Sequence, residues 1–319
     1  MQNATYRHCL VGPGRLGSSL LRALAGAGRP VTAVGVRPAA GLDAGSTPPR
    51  LAPAEAVRLS LSEAAGRPLV FWLTVPDDAI AAAAAETLTA AGDADVSAVV
   101  VVHCSGLMGL QQLAPWRRAG AQVISLHPLQ SFAPLATGAA EPTRPDPFAG
   151  IPMAVTAATP QAEAAGAALA EAIGGRPFPL CETDKPLYHL AAAVASNLLI
   201  ALQSQAGELM RQATHQDSVT DALHLLAPLV RTSLENTLRM GPERALTGPV
   251  ARGDAGTVRA HLGLLAHEPA RLGASYCSLS QQALALAAPR LDDEQVLTLQ
   301  RLLGGYPDQA IDVCVEPEA

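Results

Sequence analysis

The chain has 319 residues, 49% of them hydrophobic, which is ample for a buried core and suggests about two domains. A net charge of −6 with no Lys/Arg run argues against nucleic acid or an anionic membrane as partner. Cys9, Cys104, Cys181, Cys277 and Cys314 are scattered without C-x-x-C spacing. That pattern argues against a disulfide framework or a metal site. With no signal-peptide architecture at the N-terminus, it leads to the expectation of a cytoplasmic protein.

In chain order, "RHCLVGPGRLGSSLLRALAGAG" reads as strand, glycine turn and helix, the helix ending at Gly26 or Gly28. "VTAVGVR" at 31–37 is a second strand, and 38–55, rich in Pro, Gly and Ala, reads as loop. "RPLVFWLTVPDDAI" gives a buried strand to about Val75, a stop at Pro76 and a helix capped by Asp77 or Asp78. "VSAVVVVHCSG", "AQVISLHPLQSF" and "IPMAVTAATP" each add a strand. Apolar strands alternating with helical stretches imply an α/β fold, a doubly wound and mostly parallel sheet covered on both faces. Residues 133–149, with four prolines, read as a long loop. From about 184 the pattern is helical, with breaks near Gly241-Pro242 and at 247–254. The expected domains are therefore 1–182, α/β, and 183–319, all-helical. Pro186 to Gly207 carries no charge, but His189, Ser196, Asn197, Gln203, Ser204 and Gln205 interrupt it. So many polar groups argue against a membrane span. The expectation is the buried central helix of a soluble domain.

Gly12-Pro13-Gly14-Arg15-Leu16-Gly17 is a G-x-G-x-x-G turn between a strand and a helix, the context a dinucleotide site requires. Gly12 permits the turn, Gly14 the approach of a pyrophosphate and Gly17 close helix–strand packing. The helix N-terminus offers free N–H groups to the anion. A purely structural turn is the plainer alternative. An NAD site usually ends its second strand in Asp or Glu; here Arg37 stands there, suited to a 2′-phosphate, so NADP is the expected cofactor. Ligands of open α/β sheets sit beyond the carboxyl ends of the strands. That position holds Thr74, Val75 and Pro76, then His103 and Ser105, then His127, Gln130 and Ser131. The first two groups are assigned to the cofactor. Ser105, Gln130 and Ser131 are also substrate-side candidates, and His127 is a catalytic one.

On the helix from 184, Lys185, His189 and Ser196 share a stripe at 100° per residue, with Asn197 at its margin. A solvated face would carry Glu, Lys or Arg, so both faces look enclosed and the stripe reads as substrate-facing. Lys185 or His189 would give the proton that reduction of a carbonyl or imine needs, and Ser196 and Asn197 would hold the substrate. In "LTGPVARGD", Thr247, Arg252 and Asp254 form a second polar island, where Arg252 is suited to a substrate carboxylate. An ordinary interhelical loop is the alternative there.

The series "VGPGRLG…TVPDDAI…HCSG…SLHPLQSF…YHLAAAVASNLL…LTGPVARGD" resembles the bacterial family described as a Rossmann-like domain followed by DUF2520, over nearly the whole chain. That family is similar in layout to 6-phosphogluconate dehydrogenase-like enzymes, among them pyrroline-5-carboxylate reductase, prephenate dehydrogenase and ketopantoate reductase. "HPLQSF" resembles the His-Pro motif of prephenate dehydrogenases. Lys185 with a polar residue one turn on resembles the Lys…Asn pairing of ketopantoate and 6-phosphogluconate enzymes, with His189 in the place of that Asn. The resemblance implies an NADP-dependent oxidoreductase of two domains, a homodimer through the helical one, and ketopantoate-type 2-keto acids as the first substrate class. The competing readings are a non-catalytic NADP-sensing or scaffold protein and, third, a decarboxylating dehydrogenase working oxidatively.

Overall fold

The computed structural model describes residues 6–37, 42–43, 45–64, 66–132 and 147–305. Most of the expected loop at 133–149 lies outside these residues. The chain divides into two compact units, Met1–Leu198 and Leu199–Ala319.

The first unit is built on one eight-stranded sheet. Its strands are β1 (Arg7–Val11), β2 (Val31–Gly35), β3 (Arg50–Leu51), β4 (Leu69–Leu73), β5 (Val99–His103), β6 (Gln122–Pro128), β7 (Pro152–Ala157) and β8 (Arg176–Pro179). Their spatial order is β3-β2-β1-β4-β5-β6-β7-β8. Every pairing is parallel except β6 with β7. The order reverses between β1 and β4, so the crevice of a doubly wound sheet opens beyond Val11 and Leu73. β4 and β5 are apolar and fully buried along their length because helices cover both faces.

One buried cluster includes Phe71, Ile80 and Trp116, and the other includes Leu24, Trp72 and Phe148. Helices α1 (Arg15–Gly26), α2 (Pro53–Ala64), α3 (Ile80–Ala91), α4 (Ala114–Arg118) and α5 (Pro160–Ala172) flank these strands. β3 and α2 begin inside the stretch expected to be loop. The short β3 is signalled by no alternation, and α2 starts at Pro53, a residue well placed at a first helical position.

Helix α6 (Lys185–Ala193) continues through a π turn at Val194–Leu198 into α7 (Leu199–Thr214). The division between units falls after this π turn, later than the expected 182/183, because α6 begins with a side chain anchored in the sheet. The second unit is all-helical: α7, α8 (Val219–Met240), α9 (Pro242–Ala245), α10 (Ala255–Leu265), α11 (Ala270–Ala287) and α12 (Asp293–Gly304). Val258, Leu262, Cys277, Leu284, Leu299 and Leu303 belong to its core.

The expectation of a buried helix at 186–207 is corrected. Glu182–Thr214 is long and apolar enough to cross a membrane by length and composition, and none of its most apolar stretch is buried. Leu187, Leu190, Val194 and Leu198 are exposed. The absence of charge in the sequence signals a covered surface, but the described residues do not supply the cover.

Candidate active site

Two cavities of the first unit lie at carboxyl ends of strands. The first, about 460 Å³, is walled by Gly12, Pro13 and Gly14, by Gly35, Val36 and Arg37, by Arg50 and Pro53, and by Thr74, Val75 and Pro76. The glycines explain its shape. Gly12 has φ +90°, and a Cβ there would stand 2.7 Å from Val75 Cγ1. A Cβ on Gly17 would stand 2.5 Å from the Gly12 carbonyl oxygen. Nothing lies within 4 Å of a Cβ on Gly14, whose open side faces the cavity. Thr74 Oγ1 donates to the Gly12 carbonyl at 2.6 Å and pins the turn to β4.

Gly14 caps α1 without a side-chain hydrogen bond, and the first turn of α1 carries no acidic residue. Its N–H groups are therefore available to an anion. The residues fit a dinucleotide with a pyrophosphate over Gly14. Arg37 lines the far end but forms an ion pair with Glu86. Arg50, which the sequence reading did not single out, lines the same end and has no ion pair among the described residues. Leu16 packs against the core and Arg15 is exposed; neither lines the cavity.

The second cavity, about 620 Å³, is lined by His127, Leu129, Gln130, Ser131, Tyr188, His189, Ser196 and Asn197 together with alanines of the α6 segment. Five of the polar residues come from the end of β6, just beyond it or the first turns of α6. Ser196 and Asn197 come from the π turn, whose wider coil shifts the helical register and brings Asn197 in from the margin of the stripe. Tyr188 Oη lies 2.7 Å from His127 Nδ1, and the rings meet edge to face. Burial holds the His127 imidazole down to about 4, with the charges of Lys185 and His189 acting the same way. It is neutral at physiological pH. Burial pushes the Tyr188 phenol up to about 12. A Cβ on Gly106 would stand 3.0 Å from His127 Nε2 and 3.0 Å from His189 Cδ2, so glycine is what lets both imidazoles close over the end of β5.

Lys185, Ser105, Ser125 and Asp77 form a largely buried polar knot at the ends of β5 and β6. Lys185, 1% exposed, donates from Nζ to Ser125 Oγ at 2.8 Å and to the Ser105 carbonyl at 3.0 Å. Burial lowers its amine to about 8, against the opposing pull of Asp77 and Glu182. Ser105 Oγ donates to Asp77 Oδ2 at 2.7 Å and accepts from the Leu107 and Met108 N–H groups.

These contacts correct several expectations. Lys185 lines neither cavity; it rivets α6 to the ends of β5 and β6. Ser105 is spent on the turn after β5. His103 is fully buried, with Nδ1 accepting from Ser105 N–H and Nε2 bonded to the Gly109 carbonyl, so it shapes that turn and lines neither cavity. Asp254, in the second unit, caps α10 through Thr257 and is a helix cap. Thr247 and Arg252 are exposed in that unit.

Residues 1–128 match the family model described as a Rossmann-like domain, and residues 151–283 match DUF2520, a domain of unknown function. The two matches lie one after the other along the chain, a Rossmann-like domain followed by DUF2520. No protein of curated function matches the sequence. Among solved structures, the fold is similar to a Bacteroides fragilis protein provisionally named an NADP oxidoreductase, with 21% identity, TM-score 0.63, and 88% of this chain and 99% of that one covered. It is also similar to pyrroline carboxylate reductase from Plasmodium falciparum with NADP bound, with 10% identity, TM-score 0.54, and 92% and 98% covered. A third is an imine reductase from Myxococcus stipitatus in complex with NADP+, with 16% identity, TM-score 0.53, and 94% and 95% covered. At these identities the likeness is one of fold.

Proposed function

We propose that this DUF2520 protein is an NADP(H)-dependent oxidoreductase that reduces a small carbonyl or imine compound, with ketopantoate-type 2-keto acids the first class to test. The observation that carries the reading is the first cavity: a glycine cradle open at Gly14 and two arginines, Arg37 and Arg50, at its far end. Its two cations suit a 2′-phosphate, and among the described residues no carboxylate of the kind an NAD site requires lines it. The NADP-bound structures of the same fold support the choice of cofactor. The reduced nicotinamide would supply the hydride. This chain's residues would hold the pyrophosphate over α1, exclude water and hold a proton in the second cavity.

The test is NADPH oxidation by purified protein against a panel of small 2-keto acids and cyclic imines, with NADH in parallel. Turnover with NADPH preferred is the expected result. NADPH binding with no turnover across the panel would instead support the cofactor-sensing reading, which needs no proton donor.

A further inference from the structure

We propose that Tyr188, steered by His127, is the proton donor of the second cavity and that its substrate reacts as a carbonyl compound. The inference rests on the reductase reading above and deepens it. Three candidates for the donor came from sequence. Lys185 is set aside by geometry, since its Nζ is buried against Ser105 and Ser125 and the residue lines neither of the two cavities. His127 and His189 do line the cavity, but the hydroxyl in direct contact with His127 belongs to Tyr188.

His127 is neutral in this setting. The groups facing it are Tyr188, His189 and Lys185 on the α6 segment and His103 on β5. A neutral imidazole has a single N–H. With that hydrogen on Nδ1, His127 donates to Tyr188 Oη and leaves the phenolic hydrogen free to point into the cavity. As the carbonyl carbon takes up the two-electron hydride equivalent that bound NADPH supplies, the C=O π bond breaks. The oxygen then takes the proton from Tyr188. The phenolate keeps the O–H electron pair, is held by the Nδ1–H and regains a proton from water.

The acidity of the donor selects the substrate. A phenol pushed up to about 12 is still far more acidic than the alcohol it forms, since an alkoxide is about as basic as hydroxide, whose parent water has a pKa of about 15.7. Proton transfer to an alkoxide is therefore downhill. An iminium ion that gains hydride becomes a neutral amine and asks nothing of such a donor. The cavity lining agrees, because no Lys, Arg, Asp or Glu is among the residues named for it and all its polar groups are hydroxyls, amides and imidazoles.

The experiment uses the full chain with ketopantoate and 2-oxobutanoate as carbonyl probes and 1-pyrroline as imine probe. Tyr188→Phe is expected to lose about 100-fold or more in kcat, the usual contribution of a positioned acid. NADPH affinity, read by cofactor fluorescence, should stay within about twofold. His127 is a positioning residue. His127→Ala should lower kcat more than it changes KM, and His127→Asn, whose side-chain amide can stand near Nδ1, should restore part of it. Independently of turnover, 15N NMR of histidine-labelled cofactor-free protein should show Nδ1 of His127 protonated and its N–H resonance moved by Tyr188→Phe. Full kcat in Tyr188→Phe, an unprotonated Nδ1, or turnover of 1-pyrroline with both carbonyl probes inert would each overturn the proposal while leaving the reductase reading intact. Inertness of every probe in the wild type would overturn both.

Discussion

Lys185 shows how a residue can be conspicuous in sequence and act differently in the fold. Its position beside His189 suggests chemistry, yet its amine is used to tie α6 to the ends of β5 and β6. A folded amine near 8 against an ordinary value of 10.5 has a consequence for stability. Below about 8 the lysine is charged in both folded and unfolded chains. Between 8 and 10.5 the unfolded chain keeps a proton that the folded one has released, so this group's contribution to stability rises with pH across that window. Lys185→Met removes the rise. Denaturant unfolding at pH 8 and pH 10 should show the difference between wild type and variant moving toward the wild type at the higher pH, and a constant difference would contradict the burial described for this amine. His127 and His189 were legible because polar residues at strand and helix ends stand out in an apolar chain. Tyr188 was not, because a tyrosine on an apolar helix reads equally well as packing, and only its 2.7 Å approach to His127 gives it a role.

At the scale of elements, the glycine turn and its strand and helix were readable in full, since the spacing of Gly12, Gly14 and Gly17 answers to steric needs that few other residues meet. Arg50 was hidden because β3 is only two residues long and lies in a Pro/Gly-rich stretch. Its place beside Arg37 leads to a prediction about the cofactor. Arg37 is already paired with Glu86, whereas Arg50 is uncommitted among the described residues, so Arg50→Ala should weaken NADPH binding about tenfold or more, in the range for loss of one charge-assisted phosphate contact. NADH binding should hardly change. Equal weakening of both, in a fluorescence titration, would place Arg50 away from the 2′-phosphate. In the helical unit, Asp254 was read as a candidate substrate ligand because an Asp in a Gly/Pro-broken loop has that potential. It is an equally good N-cap, and the fold uses it so. Asp254→Ala should lower stability through loss of the cap, visible as a lower denaturation midpoint with NADPH affinity unchanged.

At the scale of the molecule, the least expected feature is the number of uncovered apolar side chains on α6 in the first unit and on α7 and α8 in the second. Leu187 is 71% exposed, Leu229 64% and Leu238 79%, with Ile200, Leu225 and Leu234 also exposed. Soluble monomers rarely leave so many large apolar side chains in water, and each leucine that becomes covered contributes roughly 1.5–3 kcal/mol. The sequence showed that this stretch wants covering, but a single sequence cannot say whether the cover comes from the same chain. We propose a second copy of the chain as the partner, in keeping with the family resemblance, since His189, Ser196 and Asn197 interrupt the apolar run and would be costly in lipid. Light scattering on detergent-free protein should give a dimer mass. Leu229→Glu with Leu238→Glu should convert it to monomer, because each carboxylate would have to leave water to enter the interface. A monomeric wild type, or a protein that stays in solution only with detergent, would refute the pairing and direct attention to a different partner for these helices.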